Sequence, residues 1–145
     1  MLETHQTGTG MPLHITLRDK EKMILNGAVL RAVGRTQLCL ENNAAILRGR
    51  DVMTPEEADT PAKRLYFACM MAYIDPDNLD RHRESILLLV RDLLAAFQSI
   101  EARAICATFA EKVATSQFYR ALADCRWLIA YEAEAMARMP AVAAQ

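Results

Sequence analysis

Asn26-Gly27, set between Met23-Ile24-Leu25 and Ala28-Val29-Leu30, restricts this chain more than any other feature. A two-residue type I′ turn needs positive φ at both central positions, which Asn and Gly tolerate best. Its twist also matches that of the strands on either side. The hairpin it predicts is the centre of a longer β-block. Upstream, Leu13, Ile15 and Leu17 alternate with His14 and Thr16, the period-two pattern of a half-buried strand. Arg18 to Glu21 then forms a charged turn. Downstream, Gly34-Arg35 turns the chain into Gln37 to Glu41, and Asn42-Asn43 turns it again before a last short strand at Ala45 to Arg48. Four or five short antiparallel strands are expected between residues 11 and 53.

From residue 54 onward the signals change to those of helices. Thr54-Pro55-Glu56-Glu57 combines a Thr cap, Pro at the first helical position and Glu at the capping-box position. Thr60-Pro61 repeats the cap-then-proline pattern six residues later. A proline inside a helix costs about 3 kcal/mol, so the two cannot share one uninterrupted helix. A turn over 54–59 and a helix from Pro61 to about Ile74 follow, closed by Asp75-Pro76-Asp77. Further helices are predicted from Leu79 to about Gln98, Ser99 to Thr115 and Gln117 to Arg138. Their apolar stripes include Ile86, Val90 and Leu93, then Ile105, Phe109 and Val113, then Phe118, Leu122 and Ile129. The fold class is therefore α+β, a small N-terminal antiparallel β-meander followed by a C-terminal four-helix region over 54–139. Residues 1–10 read as a disordered extension and 140–145 as a frayed tail.

Formal net charge is −1, which makes no case for a polyanion partner of the chain as a whole. The distribution is less even. Residues 11–52 carry seven basic against four acidic side chains, a net +3, whereas 53–145 carry ten against thirteen, a net −3. That asymmetry makes the β-block the better place for polyanion contact, with Arg18, Lys20, Lys22, Arg31, Arg48 and Arg50 as candidate RNA-binding residues. No Phe, Tyr or Trp lies between Leu13 and Asp51, so bases would not be stacked on an aromatic platform. Contact would run through phosphates and hydrogen bonds from the Arg forks. On composition alone, a solvated charged face accounts for the same residues.

The first helix is apolar almost all round (Leu65, Phe67, Met70, Met71, Tyr73, Ile74) and must be covered on more than one side. The β-block, the other helices or a second chain could do so. Lys63 and Arg64 sit in its first turn, against the helix dipole, where Glu56, Glu57 and Asp59 are placed to neutralise them. Lys63, Arg64, Phe67, Met70 and Met71 are the candidate partner interface, with a homodimer left open and a plain core as the alternative.

Catalytic motifs are missing: there is no P-loop, no G-x-G-x-x-G and no nucleophile elbow. His82 and Asp80 are two apart and do not face each other on a helix. An enzyme is not expected, nor a cofactor. Cys39, Cys69, Cys106 and Cys125 stand far apart among apolar neighbours, which suggests buried reduced thiols rather than a metal site. No apolar run approaches the roughly 20 residues of a bilayer span, and no signal-peptide pattern opens the chain. A cytoplasmic protein without membrane contact is expected.

Three stretches in this order resemble the FlbT family of flagellar regulators: the LHITL…NGAVL hairpin, the LENNAAILR…DVMTPEEADTPAKR junction, and YFACMMAYIDP. The resemblance runs from Met11 to about Met139. It implies post-transcriptional repression of flagellin synthesis, by action on the 5′ leader of flagellin mRNA that promotes its decay. The implied partners are that leader and a FlaF-like protein or flagellin. A protein-binding adaptor with no direct RNA contact is the alternative. LHITLRDKEKMILNG also resembles the opening of the carbon-storage-regulator family of RNA-binding repressors. Leu17 stands where that family carries a basic residue, and the helices here are far longer, so no contact residue is carried over from it.

Overall fold

The structure, a computed structural model, describes residues 12–138. The expected N-terminal extension and C-terminal tail lie outside the described residues. Five strands come first: β1 (Leu13–Leu17), β2 (Lys22–Leu25), β3 (Ala28–Arg31), β4 (Thr36–Leu40) and β5 (Ile46–Arg48). Four helices follow, α1 (Pro61–Ile74), α2 (Leu79–Ala96), α3 (Ile100–Ala114) and α4 (Phe118–Ala137). The α+β class and all four helices stand as expected.

The Asn26-Gly27 turn forms with φ of 49° and 86° and joins β2 to β3 in register, Leu25 opposite Ala28. Gly27 is required twice over, because a Cβ there would lie 2.8 Å from the Ile74 carbonyl oxygen at the end of α1. The hairpin tip thus seats directly on the helical layer.

The strands do not pair in the sequential order of a meander. β1 pairs with β4, and β5 returns to β2, giving two antiparallel sheets ordered β1-β4 and β3-β2-β5. The turn after β1 shows how the chain leaves its sheet. Lys20 has φ of 70°, its N–H goes to the Ala32 carbonyl, and Glu21 closes the turn on the Arg18 carbonyl. The energetic reason is burial. In a single sheet of this size one face of β2 and β5 would stay wet. In two sheets, Met23 and Ile46 pack with Ile15 and Leu17 of β1, while Ile24 and Leu47 point the other way into the helices. β2 and β5 form the middle of three layers.

α1 is the helix at the centre of the molecule. Leu65, Cys69 and Met70 are buried by α2, α4 and the Ile24–Leu47 face of the middle sheet. Its all-round apolar character is satisfied inside the chain. Its start follows the sequence signal: Thr60 Oγ1 accepts the Lys63 N–H at 3.3 Å, with Pro61 at the first position. The earlier Thr54-Pro55 makes a single 3₁₀ turn, Pro55–Glu57, held by a complete capping box with Glu57. Among the described residues, no helix is long and apolar enough to cross a membrane.

Cys69, Cys106 and Cys125 are buried as expected, but Cys39 is exposed. It lies on β4, opposite His14 on the outward face of the β1-β4 sheet, which no other described element covers.

Candidate nucleic-acid interface

The six basic residues proposed from sequence sit on different strands and turns, yet the antiparallel pairing brings them to one end of the β-block. Arg18 and Lys20 are in the turn after β1, Lys22 opens β2, Arg31 closes β3, Arg48 closes β5, and Arg50 lies in the 3₁₀ turn Gly49–Asp51 that follows it. Cross-strand bonds tie these pieces together: Lys20 N–H to the Ala32 carbonyl at 2.8 Å, and Ala32 N–H to the Glu21 carbonyl at 2.9 Å. Arg35 joins the same end, since the neighbouring Gly34 N–H is held by the Asp19 carboxylate at 2.7 Å.

The acidic residues of this end are engaged within the fold. Asp19 holds Gly34. Glu21 accepts the Arg18 backbone N–H at 2.9 Å with one oxygen and meets the Arg48 guanidinium at 3.5 Å with the other. The Arg18 hydrogen bond, with Arg48 beside it, holds the Glu21 carboxyl below the usual carboxylate range. Asp51 pairs with Arg126 of α4. Braced this way, the acids fix the turns, while Arg18, Lys20, Lys22, Arg31, Arg35 and Arg50 remain exposed.

Arg48 has a structural part as well. It is only half-buried, and its guanidinium reaches across the sandwich to donate to the Thr16 carbonyl of β1 at 2.9 Å. One pair is unfavourable as it stands: the β2–β3 register puts Lys22 directly opposite Arg31. Like charges opposite each other destabilise a sheet, and a bound anion would relieve that.

A cleft of about 390 Å³ opens where this end meets the helices, lined by Glu21, Ile46, Arg48, Gly49, Arg50, Asp51, Tyr119 and Arg126. Arg50 and Arg126 also line an adjoining cleft of about 490 Å³ toward Lys63 and Tyr66. The β-block has no aromatic of its own, but α4 contributes Tyr119 to the first cleft. Arg126 is fixed there by Asp51 and by the Tyr66 hydroxyl at 3.0 Å; that hydroxyl donates in turn to the Asp51 carbonyl at 2.9 Å. Burial pushes the Tyr66 phenol well above its ordinary range, which keeps it a proton donor. Tyr119 and Arg126 were not legible as members of this site, because 75 residues separate Arg126 from the Asp51 it pairs with. Arg35, inside the basic stretch and next to a turn glycine, could have been found.

The five residues proposed as a partner interface do not form one surface. Met70 is a correction: it is 2% exposed, in the core, with its sulfur 3.3 Å from the Met53 N–H. Phe67 and Met71 are half-buried against the same core. Lys63 pairs with Asp59 at 3.4 Å, the neutralisation its position called for, and Arg64 is exposed. α2, α4 and the sheet bury Leu65, Cys69 and Met70, while Phe67 and Met71 keep part of their surface exposed. His82 likewise finds a partner the local sequence did not indicate, Asp75 at 2.9 Å rather than Asp80.

A family profile described as "Flagellar protein FlbT" matches residues 13–136. Among curated relatives, the probable flagellum biosynthesis repressor protein FlbT of Caulobacter sp. (strain K31) is 37% identical over 123 residues, 84% of this chain and 94% of that protein. The flagellum biosynthesis repressor protein FlbT of Caulobacter vibrioides is 34% identical over 125 residues, 86% of this chain and 89% of its own length. The probable flagellum biosynthesis repressor protein FlbT 1 of Bradyrhizobium diazoefficiens is 38% identical over 124 residues, 84% and 83% respectively. No solved structure matches.

Proposed function

The chain belongs to the FlbT family, and from that premise we propose that it is a cytoplasmic, non-catalytic repressor in flagellum biogenesis. It acts after transcription, holding the 5′ leader of flagellin mRNA on the basic end of the β-block and promoting its decay. The observation that carries the RNA contact is the Lys22–Arg31 like-charge pair, set among further exposed basic residues whose acidic neighbours are engaged in bracing turns. An arrangement that is unfavourable alone becomes favourable with a polyanion across it. Tyr119 beside Arg50 and Arg126 offers one aromatic contact for a base at the edge of the phosphate track.

Fluorescence anisotropy with the labelled leader RNA, titrated against salt, tests this reading. Contacts to about six phosphates predict a log–log salt slope near −4, from roughly −0.7 per phosphate on single strands. Lys22→Glu with Arg31→Glu abolishes binding and leaves the fold intact, since neither side chain braces a turn. Reversing Arg48 is a weaker test, because Arg48 also holds β1 and Glu21. Absence of binding at low salt refutes direct recognition.

A second reading, an adaptor for a FlaF-like protein or flagellin, draws on exposed Leu87 and Leu88 of α2 and Ile100 of α3. Partner capture that survives nuclease treatment and is lost in Leu87→Ser with Leu88→Ser would favour it.

A further inference from the structure

Edge strands are normally blunted by a charge, a proline or a bulge, because their unpaired backbone groups can recruit another strand. β4, Thr-Gln-Leu-Cys-Leu, has no such protection. Among the described residues it pairs only with β1, and Gln37, Leu38 and Cys39 are exposed. Leu38 faces the same side as its buried cross-strand partner Ile15, yet is 37% exposed. Leu30 of β3, opposite buried Met23, is 38% exposed, and Val33 in the connection between β3 and β4 is 86% exposed. The sandwich is incompletely closed along these two strands.

We propose that β4 is a self-association edge. Two copies pair their β4 strands antiparallel about a two-fold axis at Leu38, joining the two β1-β4 sheets into one of four strands. The register follows from the sequence. Leu38 meets the partner's Leu38, Gln37 meets the partner's Cys39, and Thr36 meets the partner's Leu40. One step further out, Arg35 meets the partner's Glu41, and symmetry makes that pair twice. A neutral strand bounded by one positive and one negative residue at equal distance from its centre is self-complementary.

The other singly paired strands are not. The same operation about Ile15 of β1 sets Pro12 against Arg18, and Arg48 already occupies the Thr16 carbonyl. β3 and β5 each bring an arginine with no acid opposite it. The second copy also adds cover beside Leu38, which the described residues leave 37% exposed.

The test is sedimentation velocity of the full chain over a range of concentrations, without RNA. A concentration-dependent dimer is expected. Arg35→Glu or Glu41→Arg alone places like charges opposite each other twice and weakens it about tenfold. The double variant, Arg35→Glu with Glu41→Arg, restores the wild-type dimer and shows that the single variants did not act by unfolding. Leu38→Cys, oxidised, gives a disulfide-linked dimer, and Leu38→Lys abolishes the dimer with an unchanged helical circular dichroism spectrum. A chain that stays monomeric at all concentrations overturns the proposal. So does a dimer that neither single reversal weakens, or one that the double variant fails to restore.

Discussion

Glu132 on α4 has an effect on stability that can be worked through from the structure. Its carboxylate is buried, at 7% exposure, and accepts the backbone N–H of Ala62 at 3.0 Å across 70 residues of sequence. That N–H lies in the first turn of α1, where the leading N–H groups have no partner within the helix. Pro61 has none to offer, Lys63 is met by Thr60 Oγ1, and Arg64 reaches the Thr60 carbonyl. Ala62, fully buried, depends on Glu132. Removing the acceptor leaves a desolvated N–H without a partner, a cost of about 1–3 kcal/mol. It also removes a negative charge from a helix N-terminus, about 1 kcal/mol more in a partly buried setting. Glu132→Ala should therefore destabilise by about 3 kcal/mol. Glu132→Gln keeps an acceptor and loses only the charge, so about 1 kcal/mol is expected. Urea unfolding followed at 222 nm would separate them, with thermal midpoints falling by several degrees per kcal/mol. Equal losses in the two variants, or a loss below about 0.5 kcal/mol in Glu132→Ala, would refute the reasoning.

Gly27→Ala combines a positive φ with a Cβ 2.8 Å from the Ile74 carbonyl oxygen; a loss of about 2–4 kcal/mol is expected in chemical denaturation. Tyr66→Phe strands the Asp51 carbonyl and removes one contact of Arg126, which should cost about 1–2 kcal/mol by the same assay. The Asp75 carboxyl is held below its ordinary range, first by the hydrogen bond from His82 and then by Asn78. A depressed carboxylate contributes stability that is present above its unfolded pKa, about 3.9, and is lost as pH falls through the folded value. Asp75→Asn should thus destabilise at pH 7, with the gap to wild type closing as pH drops below about 4. A gap that stays constant down to pH 2 would contradict the sign.

Much of the local structure was legible because its signals lie within a few residues. Asn26-Gly27 specifies its own turn, and Gly27 has no substitute there, since L side chains pay for positive φ. Thr54 and Thr60, each followed by Pro, separated the 3₁₀ turn from α1 because a proline cannot sit inside a helix. The charge asymmetry named six of the basic residues at one end of the β-block before any strand was placed. Strand order was not legible. Period-two alternation states that Met23 and Ile24 face opposite ways, but not what each will face. Pairing β1 with β4 and β5 with β2 is decided by which arrangement buries both faces of the middle layer. The same limit hid Arg126 beside Asp51, Glu132 on Ala62 and the exposure of Cys39. These contacts join residues many positions apart, and no local preference distinguishes them from alternatives. By itself the sequence determined the elements, their ends and the sign of the β-block's charge. Only packing decided which elements meet, because the free energy that selects among them comes from surfaces that exist once the chain has folded.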